Sequence, residues 1–166
     1  MSMIIRPAVA EDLPAVGEVD SRACQRAYAG LWPAAELAGY TPDNQARGWA
    51  DRRAREADSH HLLVAEDGGR VLGFTYVGPG LPGQDPDLGD LYSLFVDPDA
   101  QSAGIGRALL VAGQAVLTEL GYARHLLWVA EANTGAVRFY ERHGWRHDGV
   151  RHTAKGIEYL RYLYTP

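Results

Sequence analysis

Two closely spaced glycines stand between a buried strand and a strongly periodic helix, and this junction restricts the fold more than any other feature of the sequence. Residues 91–96 are nearly all apolar, as expected of a central strand buried on both faces. After Gly104 and Gly106, apolar residues recur every three or four positions up to Leu120, which predicts an amphipathic helix. Glycines at this junction let backbone N–H groups converge at the positive end of the helix dipole. The sequence therefore predicts an anion site at residues 102–107, of the kind that holds phosphates.

The glycine segment does not match the two best-known phosphate loops. A P-loop needs Gly-Lys-Ser or Gly-Lys-Thr after its glycines, and a dinucleotide fingerprint needs a third glycine. Residues 104–109, Gly-Ile-Gly-Arg-Ala-Leu, have neither. On spacing alone, a tight turn between strand and helix with no ligand remains an alternative.

The rest of the chain alternates between strand and helix patterns. We predict strands at 3–6, 61–66, 71–77, 91–96, 126–130, 145–152 and 157–164, and helices at 11–29, 41–57, 105–120 and 133–142. The Gly- and Pro-rich segment 78–89 is predicted to be a loop. This order predicts an α/β fold with a mixed sheet of about seven strands and about four helices.

Length and composition indicate one globular domain. The chain has 166 residues, of which 46 % are hydrophobic and 22 % charged. The single cysteine, Cys24, excludes an internal disulfide framework and a cysteine-built zinc site. The net charge of −5 disfavours a dedicated nucleic-acid binder, and no run is long and apolar enough to predict a membrane span or a signal peptide. We therefore expect one domain, residues 1–166, in the cytoplasm, with neither nucleic acid nor membrane as partner.

Two segments together carry a family pattern. Residues 101–106 read Gln-Ser-Ala-Gly-Ile-Gly directly after the strand that Asp97-Pro98 ends. Further along the chain, the second set of matched positions is Asn133, Ala136, Phe139, Tyr140, Gly144 and Trp145. In this order and spacing the segments resemble the GCN5-related N-acetyltransferase (GNAT) superfamily, whose pyrophosphate loop is written Gln/Arg-x-x-Gly-x-Gly/Ala. The matched elements run in family order from about residue 60 to the end of the chain.

The resemblance implies acetyl-CoA as the acetyl donor, bound where the central parallel strands of the sheet splay apart. The loop amides would hold the pyrophosphate, and the pantetheine arm would run between residues 94–96 and 127–130. The implied cofactor-binding residues are Phe95, Val96, Gln101, Ser102, Ala103, Gly104, Ile105, Gly106, Arg107, Asn133, Ala136 and Phe139. We expect no metal, because the spacing of the C-terminal histidines matches no ordered ligand motif.

Acetyl transfer to an amine needs an acid for the departing thiolate and stabilisation of the tetrahedral oxyanion. The resemblance implies Tyr140 as the general acid, and a phenol with an ordinary pKa near 10 stays protonated at neutral pH. It also implies a β-bulge in the strand 91–96, which would free a backbone N–H near Phe95 or Val96 for the oxyanion. The alternative for Tyr140 is an ordinary packing role.

The base that removes the proton from the amine is less clearly defined. Many relatives have a glutamate at the start of the fourth strand, where this chain has Asp90, one methylene shorter. Asp90 is our candidate, acting through a bridging water; the alternative is a solvated aspartate at the strand entry. Tyr92 and the pair His60-His61 are further candidates, and an accessible amine needs no dedicated base. We do not expect an acetylated Cys24, because unpaired cysteines are commonly buried.

The acceptor would lie against the first two helices and the loop 78–89. The aromatic residues there include Tyr28, Trp32, Tyr40 and Trp49, and Tyr92 follows on the next strand. Of these we assign Tyr28, Trp32 and Tyr92 to the substrate pocket, with core packing as the alternative. Acidic residues near the pocket would attract a cationic amine, so the predicted acceptor is a primary amine of a small molecule or a peptide.

Two other functions remain open on the sequence. The chain could be a catalytically silent acyl-CoA-binding regulatory module, or a structural domain whose glycine turn binds nothing. Family habit implies a homodimer, with residues 159–164 of the last strand either pairing with a second subunit or ending the sheet.

Overall fold

The fold was obtained as a computed structural model, which describes residues 2–100 and 104–166. Its strands are β1 (Ile4–Pro7), β2 (His61–Asp67), β3 (Arg70–Pro79), β4 (Leu88–Val96), β5 (Arg124–Ala130), β6 (Arg146–Ala154) and β7 (Ile157–Tyr164). Its helices are α1 (Leu13–Tyr28), α2 (Ala34–Ala38), α3 (Pro42–Arg55), α4 (Ile105–Glu119) and α5 (Thr134–Arg142). The described residues thus form the α/β fold that the sequence predicts. They contain five α-helices, whereas the sequence predicts about four.

All seven strands of the described chain belong to one mixed sheet, in the order β1-β2-β3-β4-β5-β7-β6. The strands β1 to β4 pair antiparallel with their neighbours, and so do β5, β7 and β6. Only β4 and β5 are parallel. The strand β7 lies between β5 and β6, so the prediction that it ends the sheet or pairs with a second subunit is wrong.

The helices α1 and α3 cover one face of the sheet. Val16 of α1, Trp49 of α3 and Phe74 of β3 share one core cluster. The indole nitrogen of Trp49 donates to the buried carboxylate of Asp20 over 2.8 Å, which ties α3 to α1. Trp49 therefore belongs to the core, and its predicted place in the acceptor wall is wrong.

The helices α4 and α5 cover the opposite face. Leu109 of α4 lies against Gly73, whose neighbour Phe74 packs on Trp49 on the other side of the same strand. Adjacent residues of a strand point to opposite faces, so the two helix layers enclose the sheet. Among the described residues, no helix is both long and apolar enough to cross a membrane.

Three boundaries differ from the predictions. The five-residue helix α2 lies in a segment to which we assigned no structure. The strands β3 and β4 extend into the predicted loop, so that only residues 80–87 connect them. As a result Asp90, predicted at the strand entry, lies inside β4 with its backbone between β3 and β5.

Candidate active site

The central parallel strands are joined for a short distance only. Leu88–Asp90 of β4 pair with Arg124–Leu126 of β5, and the described residues beyond them form no further ladder between the two strands. The backbone of β4 from Leu91 onward therefore pairs with β3 on one side, while its β5 side has no strand partner. This gap confirms the splayed strands that the family resemblance implies.

A cavity of about 620 Å³ opens at this gap. The lining of this cavity includes these residues that the sequence predicts for the site: Phe95, Val96, Gly104, Ile105, Gly106, Arg107, Asn133, Ala136, Phe139 and Tyr140. Ten of the predicted site residues, from β4, α4 and α5, thus meet around one space. The predicted loop residues Gln101, Ser102 and Ala103 lie outside the described part of the chain.

The first turn of α4 forms one end of the cavity. Gly104 precedes the helix with a φ of 77°, a left-handed conformation that favours glycine. Gly106 follows two positions later, in the first turn of α4, and a Cβ there would stand 3.4 Å from the ring of Phe139. No side chain among the described residues caps α4, so within residues 2–100 and 104–166 its first-turn N–H groups and the positive end of the helix dipole are available to an anion in the cavity.

Three arginines add positive charge to the same lining. They are Arg26 of α1, Arg107 of α4 and Arg142 of α5. Sequence reasoning identified only Arg107 as a cofactor contact and assigned Arg142 mainly to a solvated face. Guanidinium groups match phosphate oxygens in geometry, so this end of the cavity suits a phosphorylated ligand.

Asn133 caps α5 at the far side of the gap. Its side-chain oxygen accepts a hydrogen bond from the backbone N–H of Ala136 over 3.3 Å, as the predicted N-cap requires. Tyr28 approaches Asn133 from the end of α1. Burial raises the pKa of the Tyr28 phenol, and the nearby side chain of Asn133 opposes that rise.

Tyr140 lines the cavity from α5. Only 8 % of the residue is exposed, and its ring packs edge-on against Phe139 with the centroids 5.3 Å apart. Burial raises the pKa of the phenol above its usual value of 10. The hydroxyl therefore stays protonated at neutral pH and has a proton to donate.

The strand β4 has the β-bulge that the resemblance implies for residues 91–96. The register with β3 pairs Tyr76 with Ser93 and Val77 with Leu91, which leaves Tyr92 as the extra residue. The bulge thus lies three residues before Phe95, where the resemblance implies the N–H for the oxyanion. The N–H groups of the residues that line the cavity lose a partner because β5 diverges, not because of the bulge.

Asp90 lies outside this lining. Only 3 % of the residue is exposed, and burial raises the pKa of its carboxyl to about 7, with Arg52 opposing the rise. Asp90 precedes Leu94, the first β4 residue in the cavity, by four positions, or roughly 13 Å of strand. A single bridging water does not span this distance, so a proton from the cavity would reach Asp90 only through several waters.

Tyr28 and Trp32 form an aromatic stack at the end of α1. Their ring centroids are 4.0 Å apart and nearly parallel, and Tyr40 contacts Trp32 edge-on at 5.2 Å. Across from them, Lys155 in the β6–β7 turn forms an ion pair with Glu36 of α2 at 2.6 Å. The predicted pocket residue Tyr92 is separate from this stack, with its hydroxyl bonded to the carbonyl of Pro79.

Sequence reasoning missed several parts of the lining. These additional residues are Ala23, Arg26, Ala27, Gly135, Arg142 and His143. The small residues of α1 allow that helix to border the gap closely, but small side chains also suit ordinary helix packing, so they gave no specific signal. Cys24, next to them, is buried, and burial raises the pKa of its thiol, which disfavours a thiolate nucleophile.

Comparison with known sequences finds relatives named as acetyltransferases. The chain is 43 % identical over 106 residues to a mycothiol acetyltransferase of Geodermatophilus obscurus, a match that covers 60 % of this chain and 34 % of the relative. It is 36 % identical over 116 residues to the mycothiol acetyltransferase of Rhodococcus erythropolis, covering 69 % and 36 %. The chain therefore spans about a third of the length of the curated relatives it matches.

Solved structures share the fold over nearly the whole chain. The PaiA N-acetyltransferase of Thermoplasma acidophilum, in complex with coenzyme A, superposes with a TM-score of 0.79 at 19 % identity over 100 % of both chains. A ribosomal-protein-alanine N-acetyltransferase of Brucella melitensis gives 0.77 at 24 % identity over 98 % of this chain and 99 % of the other. The model of the acetyltransferase (GNAT) family matches residues 24–145, from α1 to the end of the Tyr140 segment. With most of its length under that family model, the chain belongs to the acetyltransferase (GNAT) family.

Proposed function

We propose that the chain is an acetyl-CoA-dependent N-acetyltransferase, which moves an acetyl group directly from the CoA thioester to a primary amine of a small molecule or a peptide. One observation carries the proposal. The first turn of α4 and the side chain of Tyr140 line the same cavity, at the gap between β4 and β5. An anion site and a proton donor at the two ends of a strand-lined groove suit a phosphorylated thioester.

The residues present fit acetyl-CoA. The first-turn amides of α4, together with Arg107 and Arg142, would hold phosphate groups. The unpaired edge of β4 beyond Asp90 offers backbone groups to the amides of the pantetheine arm. Asn133 borders the same space and would contact this arm.

The chemistry requires one bond exchange. The neutral amine attacks the thioester carbon, a C–N bond forms and the C–S bond breaks. The amine nitrogen loses a proton to Asp90 through water, and the departing thiolate takes a proton from Tyr140. A backbone N–H on the unpaired side of β4 would stabilise the oxyanion. Tyr140 then recovers a proton from solvent, so the net products are the amide and free CoA.

The acceptor class follows from charge and from the relatives' names. Asp87 is exposed in the connection before β4 and would attract a cationic amine, whereas the neighbouring Asp85 forms an ion pair with Arg124 at 2.9 Å. The curated relatives are named for mycothiol, and one structural neighbour for ribosomal-protein alanine. A test panel therefore includes cysteamine, a peptide with N-terminal alanine, spermidine and tyramine.

Calorimetric titration with acetyl-CoA tests the donor site. We expect micromolar binding in the wild type and a loss of about tenfold or more in Gly104→Asp, since the carboxylate adds negative charge at the phosphate end. Gly121→Asp is the matched control, because Gly121 also has a positive φ with open space around it, but at the other end of α4. Equal affinity in both variants contradicts the assignment of this cavity.

Turnover separates an enzyme from a regulatory binding module. Wild-type protein is mixed with acetyl-CoA and each amine of the panel, and release of CoA is followed with a thiol reagent, or by chromatography for cysteamine. Repeated turnover with any amine supports the transferase. Tight binding of acetyl-CoA without turnover of any amine favours the module instead.

A further inference from the structure

Arg22 of α1 contacts two carboxylates in the turn that follows β4. One of its guanidinium nitrogens donates to Asp97 over 3.0 Å, and another donates to Asp99 over 2.5 Å. Asp97 is 4 % exposed, whereas the side chain of Asp99 is mostly in solvent. A guanidinium is a planar and rigid fork of donors. One arginine side chain therefore fixes the positions of both acids relative to α1.

The buried carboxylate of Asp97 also organises this turn. Its Oδ1 accepts a hydrogen bond from the backbone N–H of Asp99 over 2.9 Å. Its Oδ2, which Arg22 contacts, also accepts from Arg70 of β3 over 3.2 Å. The backbone N–H of Ala100 donates to the carbonyl of Asp97 over 2.8 Å. These residues thus form one hydrogen-bonded turn, which the guanidinium from α1 holds at two points.

The turn lies directly beside the lining of the cavity at the strand gap. Val96 at the end of β4 lines that cavity, and so does Ala23, which follows Arg22 in α1. Ala100 at the end of the turn packs against the cluster that contains Val96 and Ile105. Ile105 is the first residue of α4. The ion pairs of Arg22 therefore join two sides of the cavity, α1 and the end of β4, close to the first turn of α4.

The charges of the turn make this pairing important for an anion site. Asp97 and Asp99 stand only a few residues before the N-terminus of α4. Left unpaired, the two carboxylates would repel phosphate groups bound at that terminus. Arg22 pairs with both of them, and Arg70 adds a second positive charge at Asp97. The field of the two acids at the cavity is thereby largely cancelled.

We propose that Arg22 is a positioning residue for the acetyl donor, which holds the turn 97–100 against α1, neutralises its carboxylates and so preserves the phosphate site at the start of α4. The inference rests on the proposed function, in which this site binds the pyrophosphate of acetyl-CoA. Arg22 is not among the described residues that line the cavity, so it acts through Asp97 and Asp99. Its substitution should weaken phosphate binding and leave the chemical step intact.

Calorimetric titration with acetyl-CoA tests this role without an acceptor. In Arg22→Gln we expect the Kd to rise about fivefold or more, because the turn loses its link to α1 and its carboxylates lose their partner. Arg70→Gln removes a charge from the same Asp97 carboxylate but keeps the link to α1, and should keep the Kd within about twofold. Arg55→Gln, which breaks an exposed ion pair with Asp51 on α3, is the remote control. An unchanged Kd in Arg22→Gln, or an equal rise in Arg22→Gln and Arg70→Gln, overturns the proposal.

Melting temperatures of the variants separate a folding defect from this role. If Arg22→Gln does not fold, Arg22→Lys takes its place in the titration. Lysine keeps the positive charge but has no planar fork with which to hold Asp97 and Asp99 together. We then expect the Kd to rise about twofold or more, and an unchanged Kd overturns the proposal.

A donor without phosphates separates positioning from a general structural effect. S-acetylpantetheine has the thioester and the pantetheine arm but no phosphate. With the fastest amine of the panel, Arg22→Gln should raise the KM for acetyl-CoA about fivefold with kcat unchanged, and keep kcat/KM for S-acetylpantetheine within about twofold. An equal loss with both donors indicates a merely structural role and overturns the proposal.

Failure of the inference and failure of the proposed function give different results. If the wild type binds acetyl-CoA but turns over no amine, the transferase is contradicted, and the titration of Arg22→Gln still decides the role of Arg22. If the wild type does not bind acetyl-CoA, both are overturned. If the wild type turns over and Arg22→Gln matches it in Kd and KM, only the role of Arg22 is overturned.

Discussion

Gly17 of α1 and Ala46 of α3 mark the point where the two helices touch through their backbones. A Cβ on Gly17 would stand 2.5 Å from the backbone nitrogen of Ala46 and 2.6 Å from the carbonyl oxygen of Pro42. Real Cβ atoms do not approach backbone this closely, so any side chain at residue 17 must push the helices apart. This contact fixes the position of α1, whose second half borders the cavity.

Gly17→Ala should therefore destabilise the fold despite alanine's higher helix propensity. We expect a loss of about 2–3 kcal/mol in the free energy of unfolding, measured by urea titration. Gly48→Ala in α3 is the control, because nothing lies within 4 Å of its Cβ position; it should gain about 0.5–1 kcal/mol. Equal effects in the two variants would disprove the close crossing.

Tyr140→Phe should slow acetyl transfer while leaving the donor bound. Removing the hydroxyl leaves the ring packing in place and deletes the proposed acid, so we expect kcat to fall about 100-fold with the Kd for acetyl-CoA nearly unchanged. Tyr162→Phe is the control: Tyr162 is buried in the same cluster, but its hydroxyl bonds to Glu141 outside the cavity. If both variants turn over equally fast, Tyr140 is not the acid.

Asp90 should make the fold less stable as the pH rises. Its pKa is about 7 in the folded protein against an ordinary value of 3.8, so between these values the folded state holds a proton that the unfolded state has released. Stability is therefore lost as the pH rises through this window. Relative to wild type, Asp90→Asn should gain stability between pH 4 and pH 8, reaching about 2–4 kcal/mol. Urea titrations at both pH values, with Asp87→Asn as control, measure the gain. A gain that is independent of pH would contradict the raised pKa.

His125 should have the opposite effect in acid. It is fully buried between Thr118, Trp145 and Tyr164, its Nδ1 has no hydrogen-bond partner among the described residues, and burial lowers its pKa to about 4. In the unfolded chain His125 takes up a proton near pH 6.5, whereas in the folded protein its side chain stays neutral until about pH 4. Stability is thus present above pH 6.5 and lost toward pH 4.

Thermal unfolding between pH 7 and pH 4 checks this effect. His125→Phe keeps the aromatic packing and removes the titrating group, so its melting temperature should fall less steeply with acid than that of wild type. The exposed His147→Gln serves as the control and should follow the wild-type curve. Parallel curves for His125→Phe and wild type would mean that His125 is not held neutral.

Local patterns predicted the elements whose signals are carried within one segment. The stripe after Gly104 gave α4, and Asn133 was predicted correctly as the cap of α5. Strands at the ends of the Gly- and Pro-rich segment were not predicted, because Gly78 and Pro79 have low strand propensity and are extended only through pairing with Asp90 and Gly89. The one-turn helix α2 is too short for periodicity to reveal it.

The site shows the same division between local and long-range causes. Residues of the loop and of the Tyr140 segment could be named because their spacing is local. The bulge at Tyr92 depends on how Tyr76 and Val77 pair with β4, and this pairing joins residues that are distant in sequence. The contribution of α1 to the cavity depends on the crossing at Gly17. Neither follows from the spacing of residues along the chain.

The short ladder between β4 and β5 also allows the two halves of the sheet to rotate relative to each other. Among the described residues, three backbone pairs, from Leu88–Arg124 to Asp90–Leu126, join β4 to β5, and a core cluster that includes Leu91 and Leu127 also spans the two halves of the sheet. A sheet whose two halves share only a short ladder bends most easily at that ladder. Small rotations at Asp90 are therefore amplified as displacements near Val96 and Ala130. A long molecule bound along this gap would contact both halves of the sheet and would limit this bending.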